Sequence, residues 1–219
     1  MEIYFMAQSY FVPDLPVPAA VAVLAFLGTA FLVAVLAVAA LVALAHGKRS
    51  LALRASSAGL ACLALYSGVL LAASLASREK VLRKGDRKYF CEIDCHLAYS
   101  LEGSSRASAG GVSRTVATVR TWFDEKTIAP WRGSRPLTPN PRVVYVLDDA
   151  GNRYEPSSSA ETPLARALRP GESYTTTFVF ELPDGARRPR LFLGDAPGIE
   201  LLQIGHENSL LHKKIFFEI

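Results

Sequence analysis

Residues Val17 to Ala45 form a nearly unbroken apolar run without a charged side chain, and Ala55 to Ala76 form a second. Behind them the pattern changes to short stretches in which apolar and polar positions alternate. About 20 apolar residues, at a rise of roughly 1.5 Å each, cross a hydrocarbon core of about 30 Å. The pattern therefore predicts an N-terminal tail (1–16) and a transmembrane helical hairpin (17–77), with helices near 17–45 and 55–76. A basic juxtamembrane linker (78–87) and a folded domain (88–219) follow.

Pro16 and Pro18 suit the first turn of the leading helix, where a missing N–H costs nothing. Tyr4, Phe5, Tyr10 and Phe11 before it suit an interfacial belt. The loop His46-Gly47-Lys48-Arg49-Ser50 and Arg54 are basic, whereas the tail has no Lys or Arg. That bias argues for a cytoplasmic loop, and the six basic residues after Ala76 argue the other way. The loop is nonetheless expected in the cytoplasm and the C-terminal domain outside it, because the first helix usually dominates orientation and large domains translocate largely regardless of charge. The expected address is the inner (cytoplasmic) membrane, multi-pass, with an uncleaved anchor.

Ala64, Gly68 and Ala72 recur every four residues along the second helix. Small residues at that spacing let another helix approach closely, either the first helix of this chain or a helix of another membrane protein. Neither run contains an acidic residue, which argues against an ion path through them.

In the domain, Tyr89 to Leu101 alternates with period two and reads as one strand. Ser104 to Gly111 reads as a small-residue loop. Thr115 to Phe123 is a second strand, with Val116, Val119, Trp122 and Phe123 as core candidates. The prolines of 129–141 cannot sit inside a sheet. Arg142–Leu147 turns at Asp149-Ala150-Gly151-Asn152 into Arg153-Tyr154. Tyr174–Leu182, Arg190–Leu193, Ile199–Ile204 and Lys214–Ile219 supply further strands, with Tyr174, Thr176, Phe178 and Phe180 on one face. Short strands with frequent turns predict an all-β antiparallel sandwich of the immunoglobulin-like kind. The strand 116–123, and the turn Leu168-Arg169-Pro170-Gly171-Glu172 leading to Phe178-Val179-Phe180-Glu181-Leu182-Pro183, resemble bacterial telokin-like, immunoglobulin-like extracytoplasmic domains. The resemblance implies an interaction or stabilising module without assigned chemistry.

The net charge of +4 is modest, and much of the basic excess sits at Arg78, Lys80, Arg83, Lys84, Arg87 and Lys88. These read as contacts to anionic head groups. No aromatic-interleaved basic stripe points to nucleic acid.

The sharpest chemical feature is Cys91-Glu92-Ile93-Asp94-Cys95-His96. Three readings stand. Two buried cysteines and a surface histidine are one. A disulfide is the second, although a regular strand would hold the two α-carbons about 13 Å apart, beyond the roughly 7 Å a disulfide tolerates. A copper or zinc site is the third, joining Cys91, Cys95 and His96 to His206 and His212 of the segment 205–212. Two transmembrane helices followed by Cys-x3-Cys also resemble cytochrome oxidase subunit II. That family places its cysteines late in the domain, and the His and Met expected after the second one are missing here. Cys-x3-Cys-His also departs from the usual haem attachment spacing. No Gly-x-Ser-x-Gly, His-Glu-x-x-His or phosphate-binding glycine loop supports an enzyme. The expectation is a non-enzymatic, cofactor-free, membrane-tethered sandwich that binds or stabilises a membrane or envelope protein, with Trp131 as a loop anchor. The alternative is a metal-handling accessory protein.

Overall fold

The computed structural model describes residues 19–90, 97–126, 128, 133–157 and 162–219. Among these residues two helices, α1 (Ala19–Ala45) and α2 (Arg49–Ala76), precede nine strands. The strands are β1 (Lys80–Leu82), β2 (Arg87–Phe90), β3 (Leu97–Ala109), β4 (Val112–Phe123), β5 (Arg142–Leu147), β6 (Arg153–Tyr154), β7 (Ser173–Pro183), β8 (Arg190–Asp195) and β9 (Ile215–Glu218). The chain forms two compact units. One joins Glu79–Ala196 to Lys214–Ile219, and the other joins the helices up to Arg78 to Pro197–Lys213.

The strand unit is a β-sandwich. One sheet has the order β2-β3-β4-β7 and the other β1-β9-β8-β5-β6. Its core includes Phe90, Leu97, Tyr99, Leu101, Val119, Phe123, Phe178, Phe180, Leu191, Leu193 and Phe217. Along β7 the alternation is clean: Tyr174, Thr176, Phe178, Phe180 and Leu182 are buried, with exposed residues between most of them. Period two places one set of side chains inward, as the sequence pattern predicts.

Several expectations change. The sandwich is mixed rather than all antiparallel, because β1 pairs with β9 in parallel. The stretch 78–87, marked as a basic linker by its charge, contains β1. Tyr89 to Leu101 is no single strand, since β2 and β3 are antiparallel with Phe90 opposite Leu97. The chain therefore reverses between β2 and β3, and Cys91 and Cys95 lie outside the described residues. Ile199–Leu202 is a 3-10 helix, not a strand.

The β3–β4 hairpin extends through the expected small-residue loop. It closes on Gly110 and Gly111, both with positive φ (63° and 85°). Two residues at positive φ make the tight turn whose twist matches the flanking strands, which is why glycine occupies both places. Within β4 the inward face is Ser113, Thr115, Ala117, Val119, Thr121 and Phe123. Val116 and Trp122 therefore lie on the opposite face, where the Arg87 guanidinium stacks 4.0 Å from the Trp122 ring.

In the helical unit α1 ends in a Schellman cap. Gly47 takes φ 71°, its N–H reaches Leu44 O at 2.9 Å, and Lys48 N–H reaches Ala43 O at 2.8 Å. These two bonds satisfy carbonyls that a helix end leaves open and turn the chain into α2.

Candidate functional site

The helical hairpin carries the clearest functional geometry. In α1 the side chains withdrawn from solvent are Ala22, Phe26, Thr29, Val33, Leu36, Ala40 and Ala43. They alternate in steps of four and three. The matching row in α2 runs through Ala52, Ala55, Gly59, Cys62, Tyr66, Leu70 and Ala73. A repeat averaging 3.5 residues keeps one seam facing a partner helix, as in a coiled coil. Small residues dominate near the loop, and a Cβ added to Gly59 would lie 3.7 Å from Leu36 Cβ. At the other end Phe26 and Tyr66 meet with ring centroids 6.3 Å apart.

Outside this seam both helices present apolar side chains to their surroundings. Leu24, Leu27, Phe31, Val38 and Leu41 on α1 are exposed, as are Leu53, Leu60, Leu65 and Leu75 on α2. Both helices are long and apolar enough to cross a membrane. Ala64, Gly68 and Ala72 are among the exposed positions, and no described residue lies within 4 Å of a Cβ built on Gly68. The small-residue face thus does not pack on α1. The heptad row of Gly59 and Cys62 does, because it alone stays in phase with the α1 seam.

Cys91, Cys95, His96 and Trp131 lie outside the described residues. The two histidines of the metal reading lie in Pro197–Lys213. His206 Nδ1 accepts from Asn208 N–H at 3.0 Å. His212 is buried, and its Nδ1 lies 2.7 Å from Lys213 O. A carbonyl only accepts, so that nitrogen carries the proton. Among the described residues no group of three His, Cys, Asp or Glu is placed to hold a metal.

Charge patterning alone missed the cations inside the sandwich. Lys88 is 1% exposed and donates to Leu193 O at 2.6 Å. Its ammonium also lies 4.9 Å from the Phe192 ring centroid. The buried Arg142 side chain pairs with Asp195 and stacks 4.2 Å from Phe90. Carbonyls and aromatic faces offset part of the desolvation that burying a cation costs. On the other face of the same sheet, Tyr145, Phe192 and Phe216 form an aromatic row with centroid spacings of 4.7 and 5.8 Å. Arg153, Arg190 and Lys214 sit over its rings.

The β5–β6 turn is built around Asp148. Its carboxylate accepts from Asn152 N–H at 2.8 Å, Asn152 Nδ2 at 2.9 Å and Tyr154 O–H at 3.0 Å. The Asn152 side chain chiefly holds this carboxyl below its ordinary value. Burial raises the Tyr154 and Tyr89 phenols above theirs, and neighbouring carboxylates (Asp148 and Asp124) act in the same direction. A cleft of about 360 Å³ is lined by Arg166, Leu168, Glu172 and Tyr174.

These features define a class, a β-sandwich protein with an apolar helical hairpin. Neither a protein-family model nor a curated protein matches the sequence. Two solved structures are similar in part. One is MPT63, a secreted protein of Mycobacterium tuberculosis, with 11% identity and a TM-score of 0.39 over 66% of this chain and 100% of that one. The other is an uncharacterised β-sandwich protein of Clostridium difficile, with 9% identity and a TM-score of 0.39 over 65% of this chain and 97% of that one. The architecture stands on the strand pairings described above.

Proposed function

We propose that this chain is a non-enzymatic, membrane-anchored protein of the cytoplasmic membrane. In this reading the hairpin crosses the bilayer twice and carries an immunoglobulin-like sandwich on the extracytoplasmic side, where it binds or stabilises a membrane or envelope protein. The observation that carries the reading is the polarity of the hairpin. Outside the seam, most of the described surface of α1 and much of that of α2 is apolar and exposed. A monomer in water rarely leaves so large a contiguous apolar surface uncovered, whereas a bilayer covers it without cost. Lys48 before α2, with Arg49 and Arg54 in its first two turns, supports a cytoplasmic loop.

The open face of Ala64, Gly68 and Ala72 supports a partner helix, since small residues admit a close backbone. A photo-crosslinking residue at Ala72 tests this in full-length protein in native membranes. One discrete protein adduct is expected, and none from a control probe at Leu41. Adducts with lipid alone at both positions would overturn the partner helix. For orientation, a protease site inserted at Gly110-Gly111 should be cut in intact spheroplasts; cutting only after lysis would reverse the assignment.

A further inference from the structure

The segment Pro197–Lys213 has inverted polarity. Its polar side chains Glu207, Asn208, Ser209 and His212 are buried, while Ile199, Leu201, Leu202, Leu210 and Leu211 are exposed, Ile199 by 65% and Leu211 by 59%. A loop in water does the reverse. The exposed leucines are also neighbours. Leu210 N–H donates to Leu201 O at 3.0 Å, joining the two arms of the loop. Ile199 and Leu202 lie one 3-10 turn apart, where side chains eclipse. Leu211 holds φ 65°, a conformation in which glycine or asparagine is the ordinary occupant. A water-facing loop gains nothing from a leucine there.

The polar interior bonds to itself. Leu201 N–H reaches Gly198 O, Gln203 N–H reaches Glu200 O, Ser209 N–H reaches His206 O and His212 N–H reaches Ser209 O. The Ser209 hydroxyl donates to Gln203 O. Part of the segment's backbone is thus satisfied internally, which lessens the cost of a water-poor surrounding.

Two bonds tie this loop to α2. Lys213 N–H donates to Ser77 Oγ at 2.8 Å, at the helix end, and Tyr66 O–H donates to Leu202 O at 2.6 Å. Tyr66 stands ten residues before Ala76, about 15 Å along the axis at roughly 1.5 Å per residue. The leucines therefore lie beside the apolar length of the helix, and the exposed Lys213 and Arg78 lie at its end. Apolar tip and basic base match the order of acyl chains and anionic head groups.

We infer that Pro197–Lys213 is a membrane-inserted loop. It enters the leaflet beside α2, with its leucines among acyl chains and Lys213 and Arg78 at the head groups. This rests on the reading that the hairpin spans the bilayer, and the experiment separates the two. Full-length protein is reconstituted in phosphatidylcholine and phosphatidylglycerol vesicles with or without brominated acyl chains. Leu201→Trp and Leu211→Trp report on the loop, and Leu41→Trp reports on α1. The parent protein supplies the background from Trp122 and Trp131. All three added tryptophans should lose most of their emission to brominated lipid and resist aqueous acrylamide. Quenching of Leu41→Trp alone, with both loop reporters open to acrylamide, would overturn the inserted loop and leave the hairpin standing. Loop reporters bright in brominated lipid yet shielded from acrylamide would also overturn it, in favour of a protein cover. Three reporters untouched by brominated lipid would overturn both readings.

Discussion

The hairpin and the sandwich use the same apolar residue types to opposite ends. In the sandwich, Phe180 and Leu182 are 0% exposed. In the hairpin, Leu41 and Leu53 are 66% and 68% exposed, while alanine and glycine fill much of the seam. A sandwich in water gains from removing large apolar area, so bulky groups go inside. Between two helices in lipid that gain is absent, because acyl chains are as apolar as leucine. Close packing then favours small residues on the inside and leaves bulky ones facing out. On the proposed membrane reading, the side on which the large residues lie matches the solvent around each region.

Truncation breaks this comparison most sharply. Phe180→Ala should cost about 3–5 kcal/mol of sandwich stability, by lost transfer energy plus a cavity. Leu41→Ala should change the stability of the reconstituted protein by less than about 0.5 kcal/mol. Urea midpoints of the two variants measure the contrast, and equal losses would remove it.

Enlargement is the second test. Gly59→Leu would drive a side chain into Leu36 and should cost about 1–3 kcal/mol of hairpin packing. A Cβ at Gly68 meets no described residue within 4 Å, so Gly68→Leu has open space to enter. It should leave the hairpin intact and remove only the crosslinked adduct. Interhelical distance measurements between spin labels on α1 and α2 would register the first variant and not the second.

A smaller effect tests the sandwich interior. Thr176 is 1% exposed, and its hydroxyl finds no hydrogen-bond partner among the described residues. Thr176→Val keeps the shape and removes a buried polar group, so stability should rise by about 1 kcal/mol. A fall in the urea midpoint would mean the hydroxyl is satisfied.

The smallest is a change in pH dependence. The Asp148 carboxyl is held below its ordinary value in the folded protein. Its contribution is therefore present above the unfolded value of about 3.9 and is lost as pH falls through the lower folded value. Asp148→Asn should flatten the acid limb of the stability profile and leave its slope near neutrality unchanged. An unaltered acid limb would remove this carboxylate from the account.

Much of this was legible along the chain. The apolar runs announce two helices, since length and composition require no knowledge of neighbours. The alternation from Tyr174 to Leu182 announces a strand with one buried face, and Asp149-Ala150-Gly151-Asn152 announces the turn between β5 and β6. Each signal is local and is carried by backbone propensity and side-chain period. The same local reading merged β2 and β3, because alternation continues through 91–96 and does not mark where a chain reverses. Gly110-Gly111 was the missed hairpin signal, masked by the small polar residues around it.

By itself, then, the amino-acid order determined which segments are helical and apolar, which face of β7 is buried and how the hairpin loop is charged. The tertiary structure decided the rest. It chose the row of Gly59 over that of Gly68 as the seam, since both are small and only partner phase separates them. It paired β1 with β9 in parallel across 132 intervening residues, a contact no local pattern encodes. It buried Lys88 among carbonyls and turned the leucines of 197–213 outward. Burial belongs to the whole fold, because the partners that cover a side chain come from distant parts of the chain.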